Sequence, residues 1–286
     1  MSIDNFRKKY HQTICKQLLR IRINSIKGDY PNNADGDSKI SVKIAWAIVN
    51  SLTTNPVPGN ISGQQAGSIF EQLTRDYLEN SFSLLQHIRP GKWQYSTNTS
   101  ISGFDQYSDL ASIDSIIKEH KALSSTLGQD YLVSPDIVIA REPVLDSEIN
   151  RKKKIIVKNN SSAKLTPLRK SNSEKPFPIL HASISCKWTL RSDRGQNTRT
   201  EALNLIRNRK GNLPHIVAVT AEPTPTRIAS LALGTGDIDC VYHFALNELI
   251  EALNQIKDES QLDMLYTLVE GRRLRDISDL AFDLAI

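Results

Sequence analysis

Cysteine is scarce, and its pattern excludes two architectures. Cys15, Cys186 and Cys240 are odd in number, widely spaced and form no CxxC, which argues against a disulfide framework or a zinc ribbon and leaves three buried, reduced thiols as the expectation. Six histidines show no HExxH or other ligand spacing. Histidine-based metal chemistry is therefore excluded, and His181, inside an apolar run, is expected to be a satisfied core residue. No apolar run approaches the length of a membrane span. The first residues scatter Arg7, Lys8, Lys9, His11 and Lys16 without a continuous apolar stretch, so no secretory signal and a cytoplasmic address are expected. Gly234-Thr235-Gly236 does not complete a dinucleotide fingerprint, and no internal repeat is visible.

What is present describes an ordinary globular protein. With 286 residues, 39% hydrophobic and 23% charged, the chain is long enough to bury a sizeable core and is expected to form a single domain over residues 1–286. A net charge of +5 suits a polyanionic partner only modestly, and its distribution says more. Residues 151–177 hold nine Lys or Arg against one acid, Glu174; outside that segment acids outnumber bases. The segment is expected to be a solvated loop or insertion, with phosphate contact as the functional alternative.

Periodicity places the elements. Phe6, Tyr10, Ile14 and Leu18 at a spacing of four predict a helix over 3–23, and Val42 to Val49 a second over 39–52. Asp35 and Asp37, in the turn PNNADGDSK, are better placed to cap that second helix than to accept from cytosine amines. A long helix follows Ser62, with Ile69, Leu73, Tyr77 and Leu84 as its expected buried stripe. Glu71 lies off that stripe, where a surface pair with Arg75 is the plain reading, and Gln64 precedes the helix. A further helix is expected over 106–126. YLVSPDIVIA then reads as a strand containing Asp136, an acid that is costly in apolar company unless it is paired or binds a metal. LPHIVAVT is a buried strand, Arg227 begins a short helix, IDCVYHF is the expected last strand, and helices at about 245–257 and 260–270 finish the fold.

The densest chemistry lies between Ser183 and Glu201. Ser183, Ser185 and Lys187 alternate with Ile184, Cys186 and Trp188, so one strand face is apolar and the other carries polar groups. Beyond Leu190 the pattern becomes Arg191, Ser192, Asp193, Arg194, a strand running into a helix capped by Ser192 or Asp193. A guanidinium donates two parallel hydrogen bonds to guanine, and a carboxylate accepts from the cytosine amine, so this string suits a G- and C-rich duplex. Its bland alternative is a solvated helix start whose charges pair locally. Asp136, Lys187 and Glu201 follow in an order that suits phosphodiester hydrolysis: oxygen ligands without histidine favour Mg²⁺, and a lysine beside them orients a water or steadies charge on the phosphate.

Pro135-Asp136, Ser185-Cys186-Lys187, Arg191-Ser192-Asp193-Arg194 and Glu201 together resemble the PD-(D/E)xK superfamily, and within it the NgoMIV-like type II restriction endonucleases that cut sites with a CCGG core. The resemblance runs from about Asn33 to the C-terminus. It implies a restriction-endonuclease-like α/β fold, a central mixed β-sheet flanked by helices. It implies Glu71, Asp136, Lys187 and Glu201 as the active site, with the main-chain carbonyl of Cys186 as a further ligand of Mg²⁺ beside Asp136. Ser185 stands where other superfamily members keep an acid, which in this group is displaced to Glu201. Arg191, Asp193 and Arg194 match readers of the core, Asp35 and Arg227 match outer-pair readers, and Gln64 matches a minor-groove contact. Asp37 departs from the pattern, standing where a close relative has serine, and an acid there repels phosphate.

The resemblance also implies double-stranded DNA as substrate, a homotetramer built as a dimer of dimers, and a cognate DNA methyltransferase acting on the same site in a restriction-modification system. The implied target is GCCGGC, cut G/CCGGC to leave 5′ overhangs. Two other classes compete: a sequence-specific DNA-binding protein without nuclease activity, and a repair or recombination nuclease with little sequence preference.

Overall fold

The computed structural model describes residues 2–52, 54–119, 132–157, 162–190, 192–234 and 236–286, with 192–194 described by backbone alone. The architecture is the expected mixed α/β one. Nine strands among the described residues form two sheets: a six-stranded sheet in the order β4-β5-β6-β7-β8-β9 and a three-stranded one in the order β2-β1-β3. The strands are β1 (Arg20–Arg22), β2 (Tyr30–Pro31), β3 (Val57–Pro58), β4 (Trp93–Thr97), β5 (Ile137–Arg141), β6 (Ile179–Lys187), β7 (His215–Thr220), β8 (Cys240–His243) and β9 (Leu274–Asp276). β4 and β5 are antiparallel, whereas β7, β8 and β9 run parallel. The chain divides into two compact units. One comprises Met1–Pro90, Ile184–Ala202 and Ile216–Ile286, the other Gly91–Ser183 and Leu203–His215.

In the first unit the N-terminal helix, Ile3–Gln17, is shorter than its periodicity predicts. Asn32 ends it: its side-chain amide donates to Leu18 O at 3.0 Å, and its Oδ1 accepts Arg20 N–H at 3.1 Å. Residues 20–22 then pair as β1 instead of continuing the helix. Capping of the Lys39–Ser51 helix also differs from expectation, because Ser38, and not Asp35 or Asp37, accepts the N–H of Ser41. The Gly63–Ser83 helix opens on a capping box made by Ser62 and Gln65. Its buried stripe is Ala66, Phe70, Thr74, Tyr77, Leu78 and Phe82, leaving Ile69 and Leu73 half-buried. Of the expected stripe Tyr77 is buried, while Phe70, Leu78 and Phe82 enter the core in place of Ile69, Leu73 and Leu84. The final pair β9 and the Ile277–Asp283 helix lie beyond the predicted last elements; three residues give too short a run for alternation to register.

A buried ion triad knits this unit. Arg7 donates from Nε and Nη2 to Asp276 at 2.9 and 2.7 Å, and from Nη1 and Nη2 to Glu248 at 2.8 and 2.6 Å. Burial alone pushes both carboxyls up, but the hydrogen bonds and charge of Arg7 outweigh it and hold them below the ordinary range.

In the second unit β4, which periodicity does not reveal, pairs with β5 from Trp93 opposite Arg141 to Thr97 opposite Ile137. β5 begins at Ile137, so Asp136 stands just ahead of the strand and not within it. The helix expected over 106–126 is a 3₁₀ turn at Asp105–Tyr107 followed by an α-helix at Asp109–Glu119; residues 120–131 lie outside the described ones. Tyr107 is fully buried, and its hydroxyl donates to Leu205 O at 3.0 Å. His181 is half-buried, its ring packed between Trp93 and His215 at centroid distances of 4.8 and 5.0 Å.

The basic segment is less open than its composition suggests. Arg169 is 5% exposed and bonds Asp146 at 2.8 Å, while Val144 exchanges main-chain hydrogen bonds with Leu168 and Lys170. Asn150 fixes its start by accepting from the N–H groups of Ile155 and Ile156. Residues 158–161 lie outside the described ones.

Breaking a buried pair strands its partners' charge, so Arg7→Ala should cost about 3 kcal/mol in urea unfolding at neutral pH. The depressed carboxyls contribute stability that is present above their unfolded pKa and lost as pH falls through the folded one. Wild type should therefore lose more stability on acidification than Arg7→Ala, as followed by the unfolding midpoint.

Candidate active site

β6 has a burial pattern that alternation alone does not predict. Residues 182–186 are buried whichever way their side chains point, because β6 is an interior strand of its sheet. The serine face is covered as well: Ser185 Oγ lies 3.3 Å from the hydroxyl of Thr198 on the Ser192–Asn208 helix. Chemistry can reach solvent only where such a strand stops, and β6 stops at Lys187.

The stop is fixed by the neighbouring strand end. Lys187 O accepts from Thr220 Oγ1 at 2.8 Å and from Ala221 N–H at 3.2 Å. Trp188, the next residue, is buried edge-on against Phe70 at a centroid distance of 5.2 Å and lies 5.9 Å from Phe244. Phe70 thereby ties the helix that carries Glu71 to the end of β6. Gln64, Gly67 and Glu71 recur along one face of that helix, and a Cβ on Gly67 would lie 3.8 Å from Glu71 Oε1.

These side chains line one cavity of about 1180 Å³ in the first unit, which brings together Glu71, Cys186, Lys187 and Glu201 with Asp35, Gln64 and Arg227. Seven sequence-predicted site residues thus share one concavity. Arg75 pairs with Asp76 at 2.8 Å. Asp136 belongs to the second unit, half-buried before β5, with its carbonyl accepting Asn98 N–H at 3.3 Å. Arg191 lies outside the described residues. Ser192, Asp193 and Arg194 fall in the first turn of the Ser192–Asn208 helix; their side chains, and with them the expected cap, lie outside the description.

Charge in the cavity is paired at its rim. Asp35 bonds Arg227 through Oδ2 and accepts Asp37 N–H through Oδ1 at 3.1 Å. Asp37, whose acid stands out in the sequence, is ion-paired with Lys27. Between the two acids Gly36 lies under the Tyr30 ring, where an added Cβ would sit 2.5 Å from Cζ. Asn33 is buried and donates to Ala221 O at 3.0 Å, tying this loop to the end of β7.

Sequence reasoning passed over Glu222, which is 1% exposed and lines the same cavity. Burial raises its carboxyl above the ordinary range, against the opposing pull of Thr224, Leu190 N–H and the Arg227 charge. The signal was available: an acid directly follows the continuous apolar run of β7. The other acids of the cavity offer hard oxygen ligands, and no His lines it. Among the described residues no group of three His, Cys, Asp or Glu converges. Two carboxylates with a main-chain carbonyl suit a cation that keeps waters and shares phosphate oxygens, as Mg²⁺ does.

Comparison with known proteins supplies the class. Residues 10–286 match the family described as NgoMIV restriction enzyme. Over 260 residues, 89% of this chain and 90% of the relative, the sequence is 47% identical to the type II restriction enzyme NgoMIV of Neisseria gonorrhoeae. Among solved structures, a PspGI–substrate DNA complex covers 99% of this chain and 92% of its own at 14% identity and a TM-score of 0.30. A pre-specific BsaWI–DNA complex covers 73% and 65% at 10% identity and 0.28. The chain is a type II restriction endonuclease, an enzyme class that acts on DNA and is typically metal-dependent. It belongs to the NgoMIV restriction enzyme family. No helix among the described residues is long and apolar enough to cross a membrane.

The Asp35 and Arg227 side chains are 30% and 38% exposed, and a pair that open contributes only about 0 to 1 kcal/mol. Asp35→Ala should leave the urea midpoint within that margin, so a change in its cleavage pattern would report on the cavity and not on folding.

Proposed function

We propose that this enzyme hydrolyses double-stranded DNA at a palindrome with a CCGG core, GCCGGC cut as G/CCGGC, leaving 5′ overhangs that end in 5′-phosphates. The single observation that supports the reading is the shared cavity at the end of β6, where Lys187, Glu71 and Glu201 stand beside Asp35 and Arg227. Water attacks the scissile phosphorus and the bond to the 3′ oxygen breaks, giving a 3′-hydroxyl and a 5′-phosphate. Lys187 orients that water and steadies the charge growing on the phosphate. Asp136 is the acid that the family resemblance assigns to the cation, with Glu71, Glu201 and the Cys186 carbonyl as further oxygen donors. When bound, Mg²⁺ supplies positive charge at the phosphate and eases loss of a proton from the attacking water.

Arg191, Asp193 and Arg194 read the core, Gln64 enters the minor groove, and Asp35 with Arg227 reads the outer pair. A homotetramer that engages two sites and a partner methyltransferase complete the reading, both resting on family resemblance, with a single domain and a cytoplasmic location carried from the sequence expectations.

Cleavage of a plasmid carrying CCGG variants, with Mg²⁺ and with chelator, tests it directly. Lys187→Ala should lower the rate roughly 100- to 1000-fold, and undiminished cleavage by that variant would overturn the assignment. Arg227→Ala should keep the CCGG core while losing discrimination at the outer pair by about 1 to 3 kcal/mol. Sequencing of the product ends would show the relaxed position.

A further inference from the structure

Glu222 is a buried acid to which neither the family motif nor the proposed chemistry gives a role. Apolar residues fill such places at no desolvation cost, whereas an unpaired carboxylate there is expensive, so its hydrogen bonds show what it holds. Oε2 accepts the N–H of Leu190 at 3.0 Å. Oε1 accepts from Thr224, from its N–H at 3.3 Å and from its hydroxyl. Both oxygens are thus turned onto the chain and not into the cavity.

The two anchor points matter for where they lie. Leu190 is three residues beyond Lys187 and directly precedes Arg191 and the Ser192–Asn208 helix. Thr224 is the N-cap position of the Pro225–Ala232 helix, and its carbonyl accepts the N–H of Arg227 at 3.0 Å. Glu222 itself is clamped. Its N–H donates to Thr220 Oγ1 at 3.1 Å, and that same hydroxyl donates to Lys187 O. Its carbonyl faces His243 Nε2 at 3.2 Å. His243 Nδ1 accepts from Ala245 N–H, which leaves the proton on Nε2 to donate to Glu222 O. Burial lowers the His243 pKa to about 4, so this imidazole is neutral at working pH.

We infer that Glu222 is a positioning residue that holds the Leu190 backbone, three residues beyond Lys187 and directly ahead of Arg191 in sequence, against the Thr224 N-cap of the helix that carries Arg227. The inference rests on the proposed reading, in which the Arg191–Arg194 stretch reads the core and Lys187 acts on the phosphate. One carboxylate thereby fixes, relative to Lys187, the main chain at Leu190 from which the sequence enters its base-reading residues. A shift of about 1 Å in such a placement can cost on the order of 100-fold in rate.

The variants separate geometry from charge. Glu222→Gln keeps a carbonyl oxygen for Leu190 N–H and gives up only the long contact with Thr224 N–H, since the Thr224 hydroxyl can turn to accept from the amide; Glu222→Asp is one methylene shorter, and Glu222→Ala removes both ends. Cleavage rates are read on a GCCGGC duplex and on a duplex with one core base pair changed, alongside metal-free binding of both duplexes by fluorescence anisotropy. Glu222→Ala and Glu222→Asp should lose at least about tenfold of the preference for the intact core, while Glu222→Gln stays within about threefold of wild type. Should Glu222→Ala fail to fold, Glu222→Asp against Glu222→Gln decides the matter by itself. Equal preference in all three variants, or a Gln variant as impaired as the Asp one, overturns the inference. If wild type does not cleave the duplex, the reading beneath it falls too; if wild type cleaves and the variants match it, only the positioning role falls.

Discussion

Two hydrogen bonds onto the carbonyl of Lys187, from the Thr220 hydroxyl and the Ala221 amide, determine where β6 leaves its sheet. Everything placed around the cavity follows from that junction. An interior strand has no free face, so a polar side chain on it is either satisfied internally, as Ser185 is by Thr198, or sits at the strand's end. Lys187 takes the second position. Trp188 then locks the exit by inserting between Phe70 and Phe244, which brings the helix of Glu71 alongside.

The ion pairs of the first unit divide by burial. Arg7 with Glu248 and Asp276 is nearly dry and multiply hydrogen-bonded, and it joins the N-terminal helix to the last strand. It serves architecture. The pairs Asp35–Arg227 and Lys27–Asp37 stand at the cavity rim, open to water, and contribute little to folding. Groups so placed can exchange partners at small cost, which suits a surface that meets another charged molecule. Asp37 is therefore no bare repulsive charge, since Lys27 already answers it.

Elements that carry an apolar pattern were legible in the sequence, and those without one were not. The Lys39–Ser51 helix, β7 and the two helices after Ala245 fall close to their predicted spans, because apolar spacing persists over several turns or a whole strand. β4 and β9, WQYST and LRD, escape because they are largely polar, unlike the equally short apolar β5 and β8, and the end of the first helix escapes because Asn32, distant in sequence, takes its terminal groups. In the cavity, Glu71, Lys187 and Glu201 were reached by combining motif spacing with family resemblance, and no single periodicity would have joined them. Glu222 was missed because it matches no motif position, although an acid just after the apolar run of β7 marks it, and the main-chain amides it bonds leave no trace in side-chain identity. Arg169 shows the reverse error: a basic run looks uniformly solvated until an acid such as Asp146 is found to claim one member.

The loop between Asn33 and Ser38 has a consequence for anyone redesigning base preference. Asp35 is partly and Asp37 largely exposed, with room to vary, but Gly36 is held under the Tyr30 ring, where even a methyl group would collide with aromatic carbon. Its backbone angles are ordinary, so the constraint is one of space alone, and a smaller residue at position 30 would relieve it. A library randomised across this loop has two adjustable letters and a fixed one between them, unless the aromatic neighbour is diversified in the same round.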